Sequence, residues 1–158
     1  MKKIITLALA AAMALSASAT AFAAEINQDS DPKTTNATIT TSIAPTYTVT
    51  IPADVDVAFN ATATDFGSIE VTAAQIDPDK CIKVELASDG NLENSVDNTK
   101  VIPYTVTSGE TAFTSATYLA TGEKTDLTIN ITADDWNKAY AGSYSDTVTF
   151  TVSYVDKV

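Results

Sequence analysis

Hydrophobic and polar residues alternate with a period of two along much of the chain after residue 46. In the first such segment Tyr47, Val49 and Ile51 lie on one face and threonines on the other, and Pro52 ends the pattern. Alternation of this kind is typical of a half-buried β-strand. The same pattern predicts further strands over residues 54–59, 66–72, 81–86, 101–107, 115–120 and 126–132. In the first of these, Val55, Val57 and Phe59 are expected to face inward.

The longest alternation lies near the C-terminus, where the chain runs YSDTVTFTVSYV from Tyr144 to Val155. It predicts one long final strand whose inner face carries mostly large apolar side chains. Asp146 is the one polar residue on that face. The predicted inward residues are Tyr144, Val148, Phe150, Val152 and Tyr154.

Two stretches interrupt the strand pattern. Residues 88–99 are polar and contain Asp89-Gly90, which predicts a loop with a tight turn. Residues 133–140 follow Thr132, whose spacing to Asp135 resembles a helix cap, so we expect one helical turn there.

Two aromatic residues of this turn, Trp136 and Tyr140, are four apart and would share one face. The simplest interpretation is a lid over one end of the core. The alternative is a platform on which a sugar ring stacks, formed by Trp136, Tyr140 and Tyr144.

Together these segments predict an all-β fold of about seven to nine short strands. Antiparallel strands separated by turns are typical of an immunoglobulin-like two-sheet sandwich. We assign this sandwich to residues 46–158, with the single helical turn near residues 133–140.

The N-terminus has the features of a secretory signal peptide. Lys2 and Lys3 precede an uncharged stretch that ends in small residues, and Ala21-Phe22-Ala23 fits the cleavage rule. Residues 1–23 are therefore predicted to be removed, and the product is expected to be secreted and extracellular or associated with the cell surface. An uncleaved membrane anchor is the alternative, but the many Ala, Ser and Thr residues disfavour it.

Charge narrows the range of partners. Once the two leader lysines are gone, seven lysines face 20 acidic residues, which gives a net charge of −13 without any Arg or His. Such a surface repels nucleic acid and anionic lipid, so we expect neither as a partner and no membrane insertion after cleavage.

The reactive side chains offer little for catalysis. Because the chain contains no His, the His-based triads and metal sites and the commonest general base are excluded. Cys81 is the only thiol and is expected to be buried and inert. Asp29 with Asp31, and Asp77 with Asp79, lack the glycine and terminal Glu of an EF-hand loop. We expect no catalytic residue, no metal site and no cofactor.

The segment from Ala141 to Tyr154, AGSYSDTVTFTVSY, resembles the C-terminal strand of spore coat protein U and pilin-like secreted domains. Those domains end in a Gly-x-Tyr-x-Asp motif followed by alternating Thr and hydrophobic residues. Related Gram-positive surface proteins, including the WxL group, have similar endings. The chain lacks a Trp-x-Leu pair, and with one Cys it cannot form the disulfide of chaperone-usher pilins. The resemblance implies an immunoglobulin-like fold and a role in surface structures or adhesion.

Residues 24–45 form a polar extension in which Ala37, Ile39 and Ile43 alternate weakly with polar residues. We expect an ordinary linker with a first strand in its own domain. The alternative is a donor strand, which completes the sheet of a neighbouring subunit through main-chain hydrogen bonds.

These features predict a non-enzymatic surface domain with a structural or adhesive role, whose partners are further copies of itself or other surface proteins. A self-associating, pilin-like or matrix subunit fits this description. The alternative is a soluble carbohydrate-binding module whose partners are glycans.

Overall fold

The computed structural model describes residues 25–158. The predicted signal peptide lies outside the described residues. The described chain divides into two units, residues 25–44 and Pro45–Val158. Within the described part of the first unit, residues 25–44, there is no strand or helix. The first strand of the chain as described begins at Thr46, so the expected strand within the extension is absent there.

The second unit is built almost entirely from β-strands. In the described residues its elements are β1 (Thr46–Thr50), β2 (Ala63–Gln75), β3 (Lys80–Ala87), β4 (Asn91–Asn94), β5 (Val101–Pro103), β6 (Thr105–Ser108), β7 (Thr111–Ala112), β8 (Ser115–Tyr118), β9 (Lys124–Asn130), α1 (Ala133–Lys138), β10 (Tyr144–Ser145) and β11 (Thr149–Asp156). These eleven strands exceed the predicted seven to nine because two predicted strands are each divided in two and because β4 and β7 were not predicted.

All strand pairs are antiparallel, as predicted for an all-β sandwich. A five-stranded sheet has the order β1-β2-β9-β6-β7, and a three-stranded sheet has the order β11-β3-β8. A second three-stranded sheet, β10-β4-β5, is small. Long strands that neighbour each other in a sheet are therefore distant in sequence.

The core consists of the inward-facing residues of the alternating strands. Ile69 and Val71 of β2 and Ile82 and Val84 of β3 have no exposed surface. The members of each pair are two positions apart, as expected when successive side chains point to opposite faces of a sheet. Burial of such side chains is worth about 1.5–3 kcal/mol each, so these central strands supply much of the stability of the domain.

Four predicted segments differ in the structure. Residues 101–107 are divided at Tyr104 into β5 and β6, which belong to different sheets. Residues 54–59 form no strand, although Val55 and Val57 pack against the core as predicted. The loop at residues 88–99 contains β4. The long final strand is divided into β10 and β11 because the chain leaves the strand conformation at Asp146, whose carboxylate accepts hydrogen bonds from Tyr104 and from the Thr147 amide.

The predicted helical turn is α1, and its cap is the predicted one. The Thr132 hydroxyl oxygen accepts a hydrogen bond from the Asp135 amide at 3.1 Å. Trp136 packs against the core, and its indole N–H donates to the carbonyl of Ala61 at 2.8 Å. The helix thus fixes Trp136 over the core, whereas Tyr140, the other residue of the predicted lid, is 64% exposed.

Candidate assembly edge

Strand β11 forms one edge of its sheet. Within residues 25–158, β3 is the one strand that pairs with it, and the pairing extends over all eight residues of β11. The other edge of this sheet, β8, has only four residues. An edge strand presents unpaired backbone groups, and β11 is the longer of the two edges that this sheet offers.

The hydrogen-bond pattern of β3 shows which backbone groups of β11 face outward. The amide of Leu86 donates to the carbonyl of Thr114, toward β8, at 2.9 Å. In antiparallel pairs the backbone groups of successive residues point to opposite sides, so Glu85 faces β11 and bonds with Thr151. Just beyond the C-terminal end of β11, the Lys157 amide donates to the Asp79 carbonyl at 2.9 Å. Lys157 is an even number of positions from Thr151, so this bond agrees with the alternation.

Between Thr149 and Val155, three residues of β11 therefore direct their N–H and C=O groups away from β3. They are the ones between the hydrogen-bonded positions, namely Phe150, Val152 and Tyr154. No strand of the described residues pairs with this side of β11. The free edge is a ladder of three donors and three acceptors with a two-residue repeat.

The same three residues have apolar side chains that are only half buried. Val152 and Tyr154 both keep exposed surface, whereas Val84 and Ile82, opposite them on β3, have none. At these two pairs the core is fully covered at β3 and incompletely covered at β11. A further strand beside β11 would cover this remainder.

The edge of the five-stranded sheet lies close to one end of β11. The rings of Tyr47 on β1 and Tyr154 on β11 are 5.9 Å apart between centroids, tilted by 32°. Near the other end, Phe150 packs against Phe66 of β2 with ring centroids 6.0 Å apart. The two sheets therefore meet along a seam lined by aromatic rings and by the half-buried Val49 and Val152.

The C-terminal end of β11 is fixed by polar contacts to the turn before β3. The Tyr154 hydroxyl donates to the Asp77 carboxylate at 3.0 Å and accepts from the Asp77 amide at 2.7 Å. Lys80 forms an ion pair with Asp156 at 2.6 Å, and this hydrogen bond raises the pKa of the Lys80 ammonium. The edge is thus held at a defined position.

The free edge lacks the usual protection against strand addition. Natural edge strands are commonly shielded by charged side chains, by proline or by a bulge. From Thr149 to Val155 the strand has no charged residue and no proline, and its pairing with β3 is regular throughout. In a chain with 20 acidic residues, an uncharged edge of this length favours contact with another strand.

The predicted assembly residues Ala37, Ile39 and Ile43 lie in an extended, irregular part of the chain. All three are exposed, Ile39 to 97% and Ile43 to 66%. Residues 34–44 contain no charge and alternate small or apolar residues with polar ones. This segment has the length, neutrality and alternation of a β-strand but no partner strand in the structure as described.

The three residues of the predicted ligand platform make different contacts. Trp136 packs edge-on against Phe59 with centroids 5.6 Å apart, while the Lys100 ammonium lies 5.2 Å from the centre of the Tyr140 ring. The Tyr144 hydroxyl donates to the Tyr140 carbonyl at 3.0 Å and accepts from its amide at 3.1 Å. Tyr144 thus orients the Tyr140 backbone.

Sequence reasoning missed Phe59, which is 77% exposed although it was expected to point inward. A tight turn at residues 58–61 directs the Phe59 side chain outward. In this turn the Ala61 amide donates to the Ala58 carbonyl, and Asn60 has a φ of +66°. Asn is one of the few residues that adopt this left-handed conformation readily, and its presence after Phe59 was the available signal.

A polar network connects three loops near the outer end of β10. The Tyr104 hydroxyl donates to the Asp146 carboxylate at 2.5 Å and lies 2.7 Å from the Ser88 hydroxyl. Burial, followed by the hydrogen bond to Asp146, raises the pKa of Tyr104 to about 12. The Tyr104 hydroxyl therefore stays protonated and acts as a structural donor.

The acidic pairs do not form a metal centre in the part of the chain that the structure describes. No three His, Cys, Asp or Glu side chains there come together as metal ligands would. Asp77 is engaged with Tyr154, and Asp29 lies in a turn in which its amide donates to the side chain of Asn27. Cys81 is buried, as expected, with 4% of its surface exposed.

The chain is similar in structure, but not in sequence, to a known protein. No protein-family model matches the sequence, and no curated protein matches it. Among solved structures, the chain is similar to a chain in the chaperone–tip adhesin complex of CFA/I fimbriae biogenesis, with 11% identity and a TM-score of 0.45. The similarity covers 68% of this chain and 42% of the other, so this chain spans less than half the length of its structural neighbour.

Among residues 25–158, no helix is both long and apolar enough to cross a membrane.

Proposed function

We propose that this protein is a secreted, non-enzymatic structural or adhesive module of the cell surface that self-associates by strand addition at β11. The observation that carries the proposal is the combination found in Phe150, Val152 and Tyr154. Their backbone groups face outward and their apolar side chains are half buried. An incoming strand would form hydrogen bonds with these backbone groups and cover these side chains.

Main-chain hydrogen bonds at a sheet edge accept any extended peptide, so side chains must supply specificity. The exposed residues 34–44 offer an uncharged strand from the same polypeptide. Full burial of an Ile side chain is worth about 1.5–3 kcal/mol, so Ile39 and Ile43 together would provide a large part of the affinity. A subunit that carries both a free edge and a free strand links to its neighbours head to tail, which produces chains.

The proposal is tested by adding charge to one face of the segment. In protein lacking residues 1–23, Ile39→Asp combined with Ile43→Asp should abolish self-association, because two carboxylates cannot enter an apolar seam. Both residues are exposed, so folding should be unaffected. Mass is measured by size-exclusion chromatography with light scattering over a wide range of concentrations.

The matched control is Thr38→Asp combined with Thr40→Asp, which adds the same charge to the other face of the alternation. We expect the mass of the unaltered protein and of this control to rise with concentration, while the isoleucine variant stays monomeric. Monomers in all three samples, or equal loss of assembly in the control, would contradict the proposal.

A soluble carbohydrate-binding module is the second candidate. It is favoured by the two exposed rings Phe59 and Tyr140, since aromatic faces stack on sugar rings. Because Trp136 packs against Phe59, its fluorescence would report a bound glycan. Under this alternative the protein stays monomeric, and soluble polysaccharides shift that fluorescence.

A further inference from the structure

The outward groups of β11 repeat every two residues at Phe150, Val152 and Tyr154. Residues directly opposite each other in an antiparallel pair place their side chains on the same face of the sheet. An incoming strand must therefore present three residues at positions i, i+2 and i+4 whose side chains enter the seam. In residues 34–44 this spacing is met by Ile39, Thr41 and Ile43, and Ala37 lies two positions before them on the same face.

We infer that residues 37–43 of a second copy lie antiparallel to β11 in a single register, with Ile39 opposite Tyr154, Thr41 opposite Val152 and Ile43 opposite Phe150. This inference rests on the proposed function and specifies its partner strand. Ala37 then lies opposite Asp156, at the end of β11.

The other registers of an antiparallel incoming strand are each less favourable. A shift of one residue would place threonines in the seam and isoleucines in solvent. A shift of two in one direction would leave only one isoleucine inside, with Ala37 opposite Tyr154. A shift of two in the other direction would place Pro45 opposite Phe150, where an N–H donor is needed and proline has none.

Pro45 also fits the end of the inferred pairing. In the inferred register it lies opposite Val148, one residue before β11 begins at Thr149. Proline is tolerated at the end of a ladder but not within it. The antiparallel direction is chosen because each β11 residue then exchanges both of its hydrogen bonds with one opposite residue, and because parallel pairing is slightly less stable per residue.

Disulfide trapping tests the register on the solvent-facing side. In the inferred arrangement Ser42 lies opposite Thr151 in a non-hydrogen-bonded pair, where Cα atoms are about 4.5 Å apart, within reach of a disulfide. Protein with Ser42→Cys and protein with Thr151→Cys are mixed in a glutathione redox buffer. The native Cys81 is buried and common to all samples, so it serves as a shared background.

The matched control pairs Thr40→Cys with Thr151→Cys. These positions are diagonal in the inferred register, about 7–8 Å apart and too distant to be bridged readily. They lie opposite each other if the strand is parallel or shifted by two. We expect the Ser42–Thr151 mixture to form a covalent heterodimer and the Thr40–Thr151 mixture to form at least tenfold less.

Three outcomes would overturn the inference. Preferential cross-linking of Thr40 with Thr151 would show another direction or register. Assembly of both mixtures by light scattering without either cross-link would leave the proposed function standing but refute residues 37–43 as the strand at this edge. Absence of assembly in both mixtures, and in the unaltered protein, would refute the proposed function and the inference together.

Discussion

Replacing Thr151 with proline is expected to lower the free energy of unfolding by on the order of 3 kcal/mol, whereas proline at Val152 should cost clearly less. The Thr151 amide faces β3 and pairs with Glu85. Proline there removes a donor and places its ring against a backbone acceptor. The Val152 amide faces outward, where proline is tolerated on an edge strand, and the remaining cost is the lost packing of a half-buried valine.

Urea unfolding monitored by circular dichroism compares the two variants with the unaltered protein. Because Val152→Pro keeps the fold but removes an outward donor and adds a bulky ring at the edge, it should also abolish self-association. Equal destabilisation at both positions, or greater destabilisation at Val152, would mean that the outward-facing residues of β11 are not those assigned above.

Gly142→Ala is expected to cost about 1–3 kcal/mol, the typical cost of a backbone conformation that only glycine adopts readily. Gly142 has a φ of +148°, and a Cβ atom there would lie 2.5 Å from the Nδ2 atom of Asn94. Asn94 is buried and cannot move freely, because its Oδ1 atom accepts from the amides of Val96 and Asp97 at 2.9 and 3.3 Å.

Gly109→Ala is the matched control. Gly109 also has a positive φ, +59°, but nothing lies within 4 Å of the position a Cβ would occupy. Its cost should be confined to the backbone term, so urea unfolding should show a smaller loss than for Gly142→Ala. An equal or larger loss at Gly109 would show that the contact with Asn94 does not contribute to the loss of stability in Gly142→Ala.

Most of the fold follows from local alternation in the sequence. The inward faces of β2, β3 and β9 are set by a two-residue repeat of Ile, Val and Leu, and the structure buries those residues. The cap of α1 follows from Thr132 and Asp135 in the same way. These features depend on residues that are close together in the sequence, so the periodicity of the sequence predicts them directly.

Features that depend on distant partners could not be predicted. Residues 54–59 alternate as well as any strand, yet they have no hydrogen-bonding neighbour, so Val55 and Val57 are packed without strand pairing. The short strand β4 is polar, and it forms because β5 and β10 lie on either side of it. Strand pairing is decided by topology, which alternation does not encode.

The same limit applies to the candidate edge. The sequence predicts that Phe150, Val152 and Tyr154 face the core, but only the sheet order places β11 at an edge and leaves these residues half buried. The alternation of Ala37, Ile39 and Ile43 suggested a donor strand beside the more ordinary linker. Their exposure in the structure is what favours the donor role.

The most direct test of strand addition supplies the strand as a peptide. The acceptor is protein lacking residues 1–23 and carrying Ile39→Asp with Ile43→Asp, which keeps the β11 edge but cannot donate its own segment. Peptide 34–45 is added at increasing concentration and thermal unfolding is measured. A ligand that binds only the folded state at a hundred times its Kd stabilises by about 2.7 kcal/mol.

A saturable rise in Tm with this peptide, and none with the same peptide carrying Ile39→Asp, is the predicted result. An unchanged Tm with both peptides, or an equal rise with both, would contradict the claim that the free edge of β11 binds this segment through its isoleucines.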